Sequence, residues 1–332
     1  MGVVQSSLGR QPATPTFSAP DVIRPGETTT GQPIAYGTLL PSTARAEHVR
    51  GYTFPPGRRV LPPRIDLRQA GCVPYPPVIT QGSLGTCTSA AVTAAYQCAL
   101  RHDQASQLPV PSVLYNYFYA RGITGSQKRD SGTSVVAALE SLTNDGVARQ
   151  DLWPDNKTQV NQVPSLMAQQ NALFQSALDW HPLTLSLVNL KTCLAQGHAF
   201  LYTFQVSVQN DQWFKDRNQQ LQTNFMLLQD EVSQENVVAA HTVLVVGYDD
   251  TYNQQGAFLC RNSWGPNWGQ NGHFWVDYQD MIFPSLASAF HVILTACAQP
   301  PQQPQVCLTQ AQCQQHYSEQ VCRPGLQYAN GQ

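Results

Sequence analysis

Charge is scarce in this sequence. Asp, Glu, Lys and Arg make up 12% of its 332 residues, about half the usual share for a globular chain, and Gln, Asn, Ser and Thr supply the polarity instead. The formal net charge is −2 and no basic run stands out. The chain thus lacks the electrostatic footprint of a nucleic-acid binder and the polybasic strip of a membrane-surface protein. No stretch approaches the ~20 apolar residues of a membrane span. Met1 to Pro20 lacks the apolar core of a secretory signal, so no export address is visible. Met1-Gly2 followed by Ser6 matches the short pattern for myristoylation at Gly2, although one acyl chain gives only marginal membrane binding.

Cysteine, by contrast, is plentiful. There are nine: Cys72, Cys87, Cys98, Cys193, Cys260, Cys297, Cys307, Cys313 and Cys322. With Cys87 set apart for the reason given below, the even remainder permits bridges without requiring any, and connectivity is not readable from sequence. The missing export address argues for thiols, while the clustering of the last three argues for disulfides. Their spacing matches no common zinc motif, and no metal or cofactor is expected.

The texture divides the chain into three parts. Residues 1–61 are rich in Pro, Gly, Thr and Ser and carry no long apolar period, so this leader cannot bury enough surface to fold alone. Residues 62–298 have the composition of a folded domain. Residues 299–332 open with a Pro/Gln linker and end in a cysteine-containing tail. Within the middle part, Cys87 to Leu100 is nearly apolar all round, which predicts a buried central helix beginning at the cysteine. Pro111 to Ala120 and Thr133 to Asn144 also read as helices, the latter stopping near Gly146. Phe200, Tyr202, Phe204, Val206 and Val208 alternate as in a strand, and strands are expected at His241–Tyr248, Ala257–Asn262 and His273–Tyr278. The fold class is therefore α+β, with a helical first lobe, a β-rich second lobe and a cleft between them.

Three local patterns carry chemistry. Gln81-Gly82-Ser83-Leu84-Gly85-Thr86-Cys87 leads directly into the central helix. A cysteine at a helix start feels the positive end of the backbone dipole, which favours thiolate. Gln81 can bring an amide donor back toward the sulfur, where it would stabilise an oxyanion beside the Cys87 backbone N–H. Ala240-His241-Thr242 places a histidine at a strand start, and Asn262-Ser263-Trp264-Gly265 closes another strand. If these strands pair, Asn262 can hold the imidazole of His241 while its other nitrogen faces Cys87, with Trp264 shielding the contact from water.

Together QGSLGTC, AHTVLVVGYDD and FLCRNSWGPNWGQNGHFWV resemble the papain family of cysteine peptidases, over about residues 62–297. The resemblance implies a papain-like two-lobe fold with a β-barrel-like second lobe. It implies an endopeptidase that forms a thioester acyl-enzyme, with Cys87 as nucleophile, His241 as base, Asn262 as orienting residue and Gln81 as oxyanion donor. It also implies peptide or protein substrates, a monomer, and a leader that runs backwards through the cleft and blocks it until cut, with Arg58-Arg59-Val60-Leu61 as the candidate cleavage region. Gly132, Thr133, Val135, Ala240 and Trp264 would line the substrate site, including an apolar pocket for the residue two before the cut. The style is that of divergent microbial and large-virus relatives, and a vacuolar or lysosome-like compartment or a virion would suit it.

Departures are also visible. Leu84 and the Asp130-Ser131 region lack the two cysteines that bridge in the family, and Thr88 stands where Trp is usual. The polar insert from Gln209 to Asn236 reads as a surface loop in preference to a lid. His102, His181, His198 and His273 are expected to be structural. Two other readings share the motifs: a papain-fold protein that binds peptide without turnover, and a thiol acyltransferase that passes the acyl group to an amine.

Overall fold

The computed structural model describes residues 25–29, 31–40, 51–55, 60–69, 76–103, 110–172, 175–216, 237–282 and 287–298. The tail from 299 onward, Gly2, Arg58-Arg59 and Cys72 lie outside these residues. The central helix α1 (Cys87–Asp103) starts at the nucleophile candidate itself. α2 (Val113–Ile123) begins where the Ser112 side chain accepts from Tyr115 N, and α3 (Val135–Asp145) where Ser134 accepts from Ala137 N. Such caps satisfy amides that the first helical turn leaves without partners. Gly146 ends α3 with φ 66°, a left-handed conformation that glycine adopts without a Cβ clash.

Seven strands build one sheet in the order β4 (Gln175–Pro182), β9 (Ala287–Ala298), β5 (Phe200–Ser207), β6 (Val237–Asp249), β7 (Ala257–Arg261) and β8 (His273–Asp277), with β3 (Arg64–Asp66) also paired to β6. All the pairings are antiparallel. The path ends at β4 on one side and β8 on the other, so the sheet is open. The expected β-barrel-like lobe is corrected on this point. No helix among the described residues is long and apolar enough to cross a membrane.

Alternation along the strands serves two cores, because both faces of the sheet are covered. Leu201, Leu244, Val246 and Leu259 face Val92, Leu114 and Leu139 of the helices. Phe200, Tyr202, Phe204, Val243, Val245 and Phe258 face the opposite core with Phe214, Trp264 and Trp268. Ile34, Tyr36 and Phe54 of the leader are buried in that second core, so part of the leader shares the packing of the domain it precedes. Residues 51–55 are tied down as well: Tyr52 N donates to Pro182 O at 2.7 Å and Phe54 N to Asn189 Oδ1 at 2.8 Å.

The start of the polar insert is a helix, α6 (Val208–Lys215), whereas a surface loop was the expectation. Residues 217–236 of that insert lie outside the described residues. Phe214 on α6 is fully buried, 5.2 Å from the Trp264 ring and 6.0 Å from Trp268. Removing its ring should cost about 3–5 kcal/mol of stability, the usual range for a buried Phe→Ala change. Urea unfolding of Phe214→Ala checks this. A loss below about 1 kcal/mol would mean that α6 is not a fixed part of the core.

Candidate functional site

Cys87, His241 and Asn262 arrive from three elements: the first residue of α1, the middle of β6, and the residue just after β7. Register explains the meeting of the last two. Leu244 on β6 pairs with Arg261 on β7, which leaves His241 and Asn262 as neighbours just beyond the ladder. His241 Nε2 lies 2.9 Å from Asn262 Oδ1, and the same oxygen accepts from Ser263 N at 2.8 Å. An amide N–H needs an acceptor, so the second bond identifies the Asn262 atom as oxygen. Nε2 of His241 must then carry the proton it donates.

Trp264 stacks on the imidazole with ring centroids 4.8 Å apart, and both residues are fully buried. Water is thus kept from the His241–Asn262 bond, which strengthens it. His241 Nδ1 is buried and makes no hydrogen bond of good geometry here. Its imidazole nevertheless acts on the neighbouring sulfur. Burial raises the Cys87 thiol, but the charge and hydrogen bonding of His241, with help from Thr38 and the Thr242 backbone, bring it down to about 7. Cys193 and Cys260 lack such a neighbour, and burial pushes both thiols up.

Gln81 is held by the loop that follows β7. Gln81 N donates to Ser263 O at 2.9 Å, and Gly265 N donates to Ile79 O at 2.8 Å. Ser263 Oγ donates to Gln81 Oε1, so the amide nitrogen points the other way. Nε2 donates to Leu84 O at 2.8 Å and to Ala35 O at 3.0 Å.

Where the cysteine pair of the family is absent, a polar clamp joins the same two loops. Asp130 accepts from Gly85 N at 3.2 Å and from Tyr117 Oη at 2.6 Å, and Tyr117 Oη in turn accepts from Gly132 N at 2.7 Å. The loop before Cys87 is thereby fixed to the wall at residues 130–133.

Residues 33–39 of the leader cross this assembly. Ala35 O takes the Gln81 amide and also accepts from Trp264 Nε1 at 3.3 Å. The Tyr36 ring sits edge-on to His241 and Trp264, and its hydroxyl donates to Asp211 of α6 at 2.9 Å. Gly37 N donates to Cys87 Sγ at 3.2 Å, and Thr38 Oγ1 lies 3.3 Å from the same sulfur. Thr133 N donates to Gly37 O at 2.9 Å and Leu39 N to Thr133 O at 3.0 Å, a parallel pairing centred on Thr38. Thr38 N reaches Ala240 O at 3.4 Å.

Four of the five residues expected to line the substrate site therefore touch this segment. Thr133 and Ala240 meet it through backbone atoms and Trp264 through its indole. Gly132 (φ +76°) meets it by having no side chain, since a Cβ there would stand 2.4 Å from Gly37 O. Val135 is instead buried in the core among the helices. Sequence reasoning missed Asp130, Tyr117, Gly37 and Thr38. Thr88 had been noticed only as a departure; its hydroxyl lies 2.9 Å from that of Thr38. Of the histidines expected to be structural, His181 pairs with Asp179 and stacks on Tyr52, while His198 stacks on Phe54. His273 Nδ1 donates to Asn271 O, and burial lowers its pKa to about 4. The side chain of His102 lies outside the described residues.

An α+β fold gathers a Cys, a His and an Asn at one site, and known proteins share that fold and part of the sequence. Residues 207–286 match the model of the papain family cysteine proteases, a span that includes His241 and Asn262. An uncharacterized peptidase C1-like protein of Acanthamoeba polyphaga mimivirus is 25% identical over 238 residues, 69% of this chain and 73% of its own length. Xylellain, a cysteine protease from Xylella fastidiosa, superposes with TM-score 0.65 at 29% identity, covering 78% of this chain and 96% of its own. Digestive procathepsin L 3 from Tenebrio molitor larval midgut shares the fold at TM-score 0.54 and 16% identity, over 73% of each chain. The chain has a papain-like fold, and its residues 207–286 are similar to the papain family cysteine proteases.

The electrostatics give a direct test. A thiolate absorbance titration of the full chain, taken as the difference from Cys87→Ala, should have its midpoint near pH 7. His241→Ala should move that midpoint upward, because burial then acts on the thiol without the opposing charge. An unchanged midpoint in the variant would detach His241 from the sulfur.

Proposed function

We propose that the chain is a cysteine endopeptidase made as a zymogen. Residues 1–61 are its prosegment, 62–298 its catalytic domain and 299–332 an appended tail. Cys87 is the nucleophile, His241 the general base and acid, Asn262 the residue that fixes the imidazole, and Gln81 an oxyanion donor. The observation that carries this reading is the arrangement around one sulfur: an imidazole held by a buried amide on one side, and a stretch of the chain's own leader on the other.

The chemistry follows from the atoms present. The thiolate adds to the carbonyl carbon of a peptide bond, and the oxyanion receives the Gln81 amide and the Cys87 backbone N–H. Protonated His241 gives its proton to the leaving amine, which departs and leaves a thioester on Cys87. A water then loses its proton to His241 and attacks the thioester. The acid product leaves, and the sulfur is again paired with imidazolium. Asn262 keeps one nitrogen of the ring occupied throughout, so the other is always the one facing the reaction.

The position of the leader explains why this cycle would not consume it. Attack needs a carbonyl carbon at about 3–3.5 Å from the sulfur in the right orientation. The leader instead offers Cys87 the Gly37 N–H as a donor and sets the Thr38 hydroxyl 3.3 Å from the sulfur. Its one carbonyl at the oxyanion donor belongs to Ala35, two residues away. The parallel pairing of Thr38 with Thr133 agrees with the backward course that the family resemblance implies. The segment also runs past the sulfur on both sides, from Trp264 to Thr133, as a substrate cut within its chain would.

The experiment folds the full chain first and then cuts its leader at a specific site engineered into residues 56–59. Before and after the cut, the protein is exposed to an epoxide thiol reagent and to a denatured protein substrate. Expected are one adduct on Cys87 and internal cuts in the substrate after leader cleavage, neither before it, and neither in Cys87→Ala. A cut chain that takes no adduct and makes no internal cuts would contradict the peptidase. Equal labelling before and after would contradict the prosegment alone.

A further inference from the structure

The Thr38 side chain enters a pocket walled by hydroxyl groups. Thr38 Oγ1 lies 2.9 Å from Thr88 Oγ1 and 2.9 Å from Thr242 Oγ1, and Thr242 Oγ1 lies 3.0 Å from Thr203 Oγ1. Thr88, Thr203 and Thr242 are at most 2% exposed, and Thr38 is 7% exposed. The family resemblance had implied an apolar pocket for the residue two before the cut, and a row of buried threonines is a different chemistry.

A hydroxyl gives one hydrogen and can accept two, so one oxygen can bond several neighbours at once. Thr88 Oγ1 donates to the carbonyl oxygen of Thr133 at 3.2 Å, and Thr38 Oγ1 also lies 3.3 Å from Cys87 Sγ. Whatever fills the middle position must hydrogen-bond Thr88 and Thr242 at once within one short side chain. A β-hydroxyl does both. Valine has the same shape as threonine and does neither, which would take one hydrogen-bond partner from each of two buried hydroxyls.

We propose that this pocket selects a β-hydroxyl, so that threonine or serine is the preferred side chain in it, in the leader and in a peptide substrate alike. Thr88, Thr242 and Thr203 are the specificity-determining residues. The substrate half of the proposal rests on the peptidase reading above; the leader half does not. A site built to hydrogen-bond a hydroxyl rejects the analogue lacking it far more strongly than an apolar pocket rejects an added hydroxyl. The distinction between Thr and Val is therefore the sharp one.

Two arms test it. In the full chain, the rate at which a small epoxide traps Cys87 is compared among wild type, Thr38→Ser and Thr38→Val. Ser should stay protected like wild type, and Val should label faster by about tenfold or more, the effect of one or two lost buried hydrogen bonds. In the second arm, the chain is folded whole, cut at the engineered site and given fluorogenic peptides in which each of the two residues before the cut is varied in turn. At one of these positions kcat/KM for Thr and Ser should exceed that for Val by about tenfold. Thr242→Val should shrink this Thr-to-Val ratio, a change that general damage to the fold would not make.

If Val, Leu or Phe equals or exceeds Thr at both positions and Thr38→Val stays protected, the hydroxyl pocket is overturned while the peptidase stands. If Thr38→Val opens the site yet no peptide of any composition is cut, the pocket stands and the peptidase reading falls.

Discussion

The contact on which the rest of the structure turns is the approach of the Gly37 backbone to the loop before Cys87. A Cβ at Gly37 would stand 1.9 Å from Gly85 O, and one at Gly132 would stand 2.4 Å from Gly37 O. Only bare backbone fits in that slot. Because it fits, Gly37 N reaches the Cys87 sulfur, Thr38 drops into its pocket, and Tyr36 is carried to the edge of His241. The same crowding requires the two walls of the slot to keep their spacing. The Asp130 carboxylate does this by joining Gly85 to Tyr117 and, through that phenol, to Gly132. A hydrogen-bonded clamp thus stands where the family resemblance would have implied a covalent one, and it needs no oxidising compartment.

Behind the slot the site is rigid for a different reason. Trp264 lies between the imidazole and a wall of rings formed by Phe214, Trp268 and Phe274. Dense packing of this kind leaves few alternative side-chain positions, so the His241–Asn262 bond is held by its surroundings as much as by its own strength. The leader completes the shell, with Ile34 and Tyr36 buried in the same core. Lifting this segment away would therefore expose apolar surface as well as the thiol.

Much of the site was legible in the sequence because its signals are local. A cysteine opening an apolar helix, a histidine in a β-branched run and an Asn-Ser-Trp-Gly turn each announce themselves within a few residues. The three helices and four strands that were expected are present for the same reason, with ends within a few residues of the periodic pattern, whereas β3, β4 and β9 were not foreseen. What depends on distant pairing was not legible. Whether a sheet closes depends on its edge strands, and nothing local to β4 or β8 tells a reader that they do not meet. The helix over 208–215 was hidden by its polar composition, since its one large contribution to the core is Phe214. The clamp at Asp130 could have been suspected from the paired absence of two cysteines, because two loops that lose a covalent tie need another. Thr88 was visible as a departure, but its role required Thr38, a residue 50 positions away in a leader whose composition says only that it cannot fold alone.

The most direct measurement of the central claim, that the leader lies seated in the cleft by backbone pairing, is amide hydrogen exchange of the intact chain at Gly37, Leu39 and Thr133. These three amides are the donors of the pairing and of the sulfur contact. The account predicts that they exchange slowly, with protection similar to the amides where β5 and β6 pair. Exchange of Gly37 and Leu39 at the rate of a free peptide, in a chain whose β6 amides stay protected, would contradict it.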